Sequence, residues 1–303
     1  MNSIFKFNKE PKQIIKADNH LVNDFSDNIS ENVDAKVVAS FGAEWEKFYN
    51  FTDEDINQVG NEYFGFLSKD VINENTYMLD VGCGTGRWSK YMSSRVKFIE
   101  AIDPSKAIFF ADKLLKNVNN IRLSIAASDR LPFEDNTFDF VMSVGVLHHI
   151  PDTQKAIIDC VSKVKSGGYF YVYLYYAFDN KGALFKSIFA LSDIIRKIVS
   201  KLPEKIKVFT CDVLAFTIYM PLILLGRLFN LIGLKSLAKK IPLSDYQNKS
   251  LFIIRNDSLD RFGTSLEQRF TKVQIREMLT NAGLENIVIP DGPVHWVAIG
   301  KKP

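Results

Sequence analysis

The sequence predicts an α/β protein: a mostly parallel sheet with helices on both faces, an N-terminal helical extension, and a helical insertion after the fifth strand. Three observations carry that expectation. Short apolar runs alternate with amphipathic stretches across residues 77–175, the rhythm of β-α-β units. The first of those runs ends in a glycine-rich turn that opens a helix. The rhythm then stops near Phe178, gives way to apolar helical stretches, and returns after Phe262.

In chain order, residues 1–34 are rich in Asn, Lys and Asp with weak periodicity, and read as a loose leader. From Ala35 the spacing of Val37, Val38, Phe41, Trp45, Phe48 and Phe51 is helical, and Tyr63, Phe64 and Leu67 continue it. Strands are expected at Tyr77–Val81, Phe98–Asp103, Ile121–Ala126, Phe138–Val144 and Tyr169–Tyr175. Helices fall between them at Arg87–Arg95, Lys106–Val118 and Asp152–Val164, the last stopped by Ser166-Gly167-Gly168. The insertion offers helices at Ala183–Ser200 and Leu214–Leu234. Beyond it lie a helix near Lys272–Ala282, a stop at Gly283, and short strands near Ile287–Ile289 and Val294–Ile299. The whole reads as a Rossmann-type domain divided into a leader and helical lid (1–70), a ligand-binding core (71–177), the insertion (178–262) and the end of the core (263–303).

Bulk composition narrows the function. A net charge of +3 is too small to argue for nucleic acid. Cys83, Cys160 and Cys211 are far apart and form no CxxC pair, so neither a disulfide framework nor a metal site is expected. The N-terminus lacks the apolar core of a signal peptide, and together these features favour a cytoplasmic setting.

The chemistry starts at Asp80-Val81-Gly82-Cys83-Gly84-Thr85-Gly86. Glycines let a ligand approach the backbone closely. A dinucleotide loop spaces them G-x-G-x-x-G; here the third comes one residue early, and Asp80 stands two residues before the first. That carboxylate would repel a pyrophosphate but favours a ligand carrying an ammonium and a sulfonium, which selects S-adenosylmethionine over NAD. A second acid, Asp103, closes the second strand in Ile102-Asp103-Pro104-Ser105. It suits two ribose hydroxyls, or the capping of the following helix.

These residues resemble motif I of the class I methyltransferases. Arg130-Leu131-Pro132-Phe133-Glu134-Asp135-Asn136-Thr137-Phe138-Asp139 and Val146-Leu147-His148-His149-Ile150-Pro151-Asp152 resemble two further segments of the branch that includes ubiquinone and menaquinone C-methylases. The likeness covers residues 75–170 well and 265–300 by pattern. It implies a seven-stranded methyltransferase sheet with cofactor and acceptor at the C-terminal ends of the strands. It further implies that Asp80, Gly82, Cys83 and Gly84 lie near the methionyl part, that Asp103, Pro104 and Ser105 meet the ribose, and that Ser128 and Asp129 flank the adenine. Ser143, Val144 and Gly145 would line the pocket. Many relatives carry Asp-Ala where this chain has Ala127-Ser128, so the adenine contact falls to Ser128 or Asp129.

Methyl transfer is an in-line displacement in which positioning does much of the work, though a protonated oxygen or nitrogen acceptor also needs a base. His148 and His149 follow strand four, where the resemblance places cofactor and acceptor, and histidine suits a base near neutral pH. A capping or packing role before Pro151 is the alternative. Tyr175 and Tyr176 end strand five, on opposite faces, and either binds acceptor or packs under the insertion. His295 begins the last strand, as structure or as pocket border. Arg261 and Arg269 could clamp an acidic group or brace the junction through Asp257, Asp260 and Glu267. The helix around Phe41–Trp45 is a lid or ordinary core.

The insertion is basic as well as apolar: residues 180–240 hold eleven Lys and Arg against three Asp and Glu. Its longest apolar run, bounded by Asp212 and Arg227, is short for a bilayer. Three arrangements fit: a cap over the site, a peripheral membrane face, or a homodimer interface. The function expected is methyl transfer from S-adenosylmethionine to a small molecule with apolar and acidic parts. Its rivals are a non-methylating S-adenosylmethionine enzyme of the same fold and an NAD-dependent oxidoreductase. Nucleic acid is not an expected partner, since no Asn-Pro-Pro-Tyr type motif follows strand four.

Overall fold

A computed structural model describes residues 6–26, 30–47, 51–178, 182–290 and 296–303. Internal contacts divide the chain into two compact units, Met1–Asp179 with Leu266–Pro303, and Asn180–Ser265.

The first unit is built on one sheet. Its strands among the described residues are β1 (Gln13–Lys16), β2 (Leu21–Asp24), β3 (Tyr77–Val81), β4 (Phe98–Ile102), β5 (Ile121–Ile125), β6 (Phe138–Val144), β7 (Val164–Leu174), β8 (Glu285–Val288) and β9 (Trp296–Lys301). They lie in the order β1-β2-β5-β4-β3-β6-β7-β9-β8. Strands β2 through β7 pair in parallel, whereas β1 on β2 and β9 on both β7 and β8 are antiparallel. Every residue of β3 is buried, as a strand covered on both faces requires. The helices of this unit are α1 (Ala35–Lys47), α2 (Asp53–Phe64), α3 (Arg87–Ser93), α4 (Ala107–Leu114) and α5 (Thr153–Ser162), with α11 (Lys272–Asn281) after the insertion. Thr52 caps α2 through Asp55 N, and Thr271 with Gln274 forms a capping box on α11.

Sheet growth fixes the site. From β3 the chain adds β4 and β5 on one side, then crosses to add β6 and β7 on the other. In an open α/β sheet the ligand crevice is expected at that switch, beyond the carboxyl ends of β3 and β6.

Two expectations need correction. The sheet has nine strands: β3 to β9 supply the anticipated seven, and the supposed leader adds β1 and β2 at the β5 edge. The hairpin escapes sequence reading because β1 is mostly exposed and so shows no alternation. It is held by backbone pairing and by Asp112 of α4, whose carboxylate accepts from Asn19 N at 3.1 Å, His20 N at 2.7 Å and His20 Nδ1 at 2.9 Å. The second correction concerns Ser166-Gly167-Gly168, which does not stop α5. It lies inside β7, where pairing with β6 shifts register. Gly167 has φ +80°, and a Cβ on Gly168 would sit 2.7 Å from the Asp139 carbonyl oxygen, so the bulge needs glycine.

The second unit is helical: α6 (Ala183–Val199), α7 (Glu204–Leu214), α8 (Met220–Leu231), α9 (Lys235–Ala238) and α10 (Leu251–Gly263). A π turn at Ala215–Tyr219 joins α7 to α8 without a break, which accommodates Pro221 in the middle of a long helical rod. Arg255 of α10 grips Asp212 with both nitrogens (3.0 and 2.9 Å), and Ser258 Oγ donates to Cys211 O at 2.7 Å. Buried Arg196 donates to the carbonyls of Thr264 and Ser265.

Candidate functional site

The glycine turn sits at the end of β3. Gly82, Gly84 and Gly86 have φ of +76°, +55° and +78°, a region that disfavours side chains. A Cβ on Gly82 would lie 2.6 Å from Val146 of the segment after β6. The turn therefore packs bare backbone against the opposite wall of the crevice. Gly82 N and Cys83 N both donate to Ile102 O at 2.9 Å, tying the turn to the end of β4.

Two carboxylates share this crevice. Asp80 is fully buried, with Ser89 Oγ of α3 donating to it at 2.6 Å. Burial above all, then the neighbouring Asp103, pushes its pKa up to about 7, against the Ser89 bond. Asp103 is also buried; Oδ2 accepts from Gly84 N at 3.0 Å and Oδ1 from Ser105 N and Oγ at 2.8 and 2.6 Å. Burial raises its pKa too, and those bonds oppose the shift. Two neighbouring buried acids are costly unless one stays protonated or a positive ligand arrives. Burial first, then both carboxylates, drives the Cys83 thiol up, which favours its protonated form.

Ser143 Oγ, at the end of β6, donates to Val81 O at 2.9 Å, and Gly145 N donates to Tyr173 O at 3.3 Å. Val144 is buried and Pro104 half-buried. Asp129 is turned to the N-terminal segment: it accepts from Ser30 Oγ at 2.6 Å, Glu31 N at 3.0 Å and Asn32 N at 3.1 Å. Those bonds hold its pKa low against burial. Ser128 Oγ, by contrast, is buried without a hydrogen-bond partner among the described residues, as is Thr85 Oγ1 in the glycine turn.

Helix α1 lies over the turn. Trp45 Nε1 would be 3.3 Å from a Cβ on Gly84, and the Arg87 guanidinium stacks on Trp45, Phe51 and Trp88 at 5.2, 5.0 and 4.6 Å. Phe41 meets the His149 ring at 4.9 Å. Sequence reasoning singled out Phe41–Trp45 as a lid or ordinary core and gave no site role to Arg87, Ser89 or Tyr63, which carry no motif of their own.

The histidine pair forms the neighbouring wall. His148 is wholly buried, its ring 4.1 Å from His149 and 4.0 Å from Tyr175. Neither of its nitrogens has a hydrogen-bond partner among the described residues. Burial first, then His149 and Arg269, lowers its pKa well below the usual histidine value. His149 Nδ1 lies 2.7 Å from Leu266 O, so Nδ1 carries the proton and Nε2 the lone pair. Tyr173 adjoins Tyr63 and Tyr175 at 5.3 and 6.0 Å, extending the aromatic wall.

Arg269 stacks on Tyr175 at 4.8 Å, donates to Tyr176 O at 3.2 Å and pairs with buried Glu267 at 2.7 Å. Tyr176 is buried against Phe178. Arg261 belongs to the other unit, where it stacks on Phe189 at 4.2 Å and donates to Ser192 Oγ at 2.9 Å. His295 lies outside the described residues. The structure thus gathers His148, His149, Tyr175 and Arg269 into one cluster.

S-adenosylmethionine fits this crevice. The positive-φ glycine turn keeps its backbone free of side chains beside Asp80, the buried Asp80 and Asp103 suit a cationic methionyl part and a ribose, and Ser128 Oγ and Thr85 Oγ1 have no hydrogen-bond partner among the described residues.

The known proteins agree. Residues 79–172 match the family described as Methyltransferase domain. A ubiquinone biosynthesis O-methyltransferase of Marinobacter nauticus is 29% identical over 153 residues, covering 47% of this chain and 63% of that protein. An uncharacterised methyltransferase of Bacillus subtilis is 30% identical over 132 residues, 42% of this chain and 51% of the relative. The chain thus spans less than two thirds of the curated relatives it matches first. Among solved structures, human N-acetylserotonin methyltransferase in complex with S-adenosylmethionine shares the fold, with TM-score 0.52 and 14% identity over 89% of this chain and 60% of that one. An O-methyltransferase family protein of Burkholderia thailandensis does so at TM-score 0.50 and 13% identity, over 85% of this chain and 58% of the other. Residues 79–172 are thus similar to the methyltransferase domain, and the fold is one shared with S-adenosylmethionine-dependent methyltransferases.

Proposed function

We propose that the chain transfers the methyl group of S-adenosylmethionine to an oxygen or nitrogen of a small molecule with apolar and acidic parts. The observation that carries this reading is the meeting of the glycine turn and its two buried acids with the His148–His149 aromatic wall at one sheet switch. When bound, the cofactor supplies an electrophilic methyl group. Asp80 would hold the cationic methionyl part with Gly82, Cys83 and Gly84 beneath it. Asp103, with Pro104 and Ser105, would take the ribose, and Ser128 the adenine side, with Ser143, Val144 and Gly145 lining the pocket.

His149 is the proposed base. The Leu266 carbonyl fixes its tautomer with a lone pair on Nε2 and stabilises the imidazolium formed once it takes a proton. His148, held neutral by burial, would orient the acceptor. Tyr63, Tyr173 and Tyr175 favour a planar, apolar acceptor, and the ubiquinone-pathway relative supports a hydroxyl as the atom methylated. Arg269 would face the acceptor's acidic part. Three buried free thiols support a reducing, cytoplasmic setting, and the basic, apolar 180–240 segment supports peripheral contact with a membrane.

The test is production of S-adenosylhomocysteine by purified protein offered catechols, phenolic carboxylates and aliphatic amines in turn. Turnover with a hydroxyl acceptor, abolished by Asp80→Ala, is the expected result. Binding of S-adenosylmethionine with no turnover on any acceptor favours the non-methylating alternative.

A further inference from the structure

The rod formed by α7, the π turn and α8 spans Glu204–Leu231, about 42 Å at helical rise. One side is packed within its unit: Cys211, Ala215, Tyr219, Ile223 and Gly226 are buried at spacings of four, four, four and three. The other side is equally apolar and open to solvent. Phe209, Phe216, Leu224, Leu228 and Leu231 are 69%, 51%, 52%, 51% and 84% exposed. In α6, Ile188, Leu191, Ile194 and Ile198 form a second exposed apolar row. A helix apolar on every side belongs in a core or in lipid, and a patch of this length on a free surface marks an interaction site.

Charge selects the occupant. Residues 180–265 hold fourteen Lys and Arg against six Asp and Glu, a net +8, while the rest of the chain is net −5. Exposed Lys201 and Lys205 stand at one end of the rod, and Lys235, Lys239 and Lys240 just beyond the other. A second copy of so basic a surface would be repelled; an anionic lipid surface is attracted. Spanning the bilayer is disfavoured on the packed side. There the Arg255–Asp212 ion pair and Ser258 contact the rod, and a span would carry them into hydrocarbon. A rod lying flat keeps them in the polar layer and places both lysine groups at head-group level.

We propose that this unit is a monotopic anchor, with the Phe209–Leu231 face of the rod seated in-plane on a bilayer rich in anionic lipid. The proposal rests on the peripheral-contact reading and is independent of methyl transfer.

The test is co-sedimentation of the full chain with phosphatidylcholine vesicles and with vesicles containing phosphatidylglycerol. Binding to the anionic vesicles is expected, weakening as salt is raised. The triple variant Phe209→Ser, Phe216→Ser, Leu228→Ser should lose at least tenfold in partitioning yet keep wild-type S-adenosylmethionine binding, since all three side chains are exposed. Retained cofactor binding shows that the chain is folded, so failure here is separable from failure of the enzymatic reading. Any of three results overturns the proposal: vesicle binding unchanged in the triple variant; a stable dimer that the triple variant dissociates and that ignores lipid; or wild-type protein that resists alkaline extraction, as a spanning helix would.

Discussion

The two units treat the same kinds of side chain in opposite ways. In the sheet unit, helices cover both faces, and Leu79, Phe133, Phe140, Tyr171 and their neighbours are almost wholly buried. In residues 180–265 the helices have one packed side, and this unit contributes seventeen of the twenty-three large apolar side chains exposed among the described residues. Composition alone does not separate core from interface. What separates them is whether a second layer exists to close the apolar face. The sheet unit leaves buried polar atoms unsatisfied at the crevice, at Thr85, Ser128 and His148, where a ligand can satisfy them. The insertion satisfies Asp212, Arg196 and Ser258 internally.

If the comparison holds, substitutions in the crevice change cofactor handling or turnover and leave vesicle binding alone. The largest effect falls on His149. Replacing it with Asn should lower kcat roughly 100- to 10,000-fold, the range for loss of a general base, with cofactor affinity measured by calorimetry unchanged. A His149→Asn enzyme that keeps wild-type kcat removes the base from the account. Next comes Asp80→Asn, which keeps shape and removes charge. Affinity for S-adenosylmethionine should drop about 30-fold or more, as when one partner of a buried charge pair is lost. Gly82→Ala follows: its positive φ and the overlap with Val146 should cost about 1–3 kcal/mol in a urea titration.

The smallest effect is a pH dependence. With the Asp80 pKa near 7, protonated Asp80 must ionise to hold a cation. Affinity should therefore rise roughly eightfold from pH 6.0 to 7.5, by simple titration of one group. Stability of the unliganded protein runs the other way. A raised carboxylate pKa means that folding favours the protonated form, so stability is lost as pH rises from about 4, its unfolded value, towards 7, and then levels off. Asp80→Asn should flatten both curves. A wild-type stability profile identical to that of Asp80→Asn would show that Asp80 does not titrate in this range.

Legibility in the sequence followed physical cause. The central strands were readable because burial on both faces makes them continuous apolar runs: Tyr77–Val81 and Phe138–Val144 match the structure residue for residue. The glycine turn was readable because its backbone conformation restricts the residues allowed, and Asp80 because a charge so placed has few uses. The β1–β2 hairpin was not, since its order comes from edge pairing and the distant Asp112. The Ser89 bond to Asp80 and the Arg87 stack on Trp45 were equally hidden, because each joins elements that only the fold brings together. The bulge in β7 was misread for a related reason: Gly167-Gly168 after a helix also fits a helix stop, and only pairing with β6 decides between them.

The most direct test of the account is titration calorimetry of the full chain with S-adenosylmethionine and, separately, with NAD, for wild type and Asp80→Asn at pH 7.5. Saturable binding of the sulfonium nucleoside alone, weakened about 30-fold or more by the substitution, is predicted. Equal affinity of the two proteins for S-adenosylmethionine, or preferential binding of NAD, would contradict it.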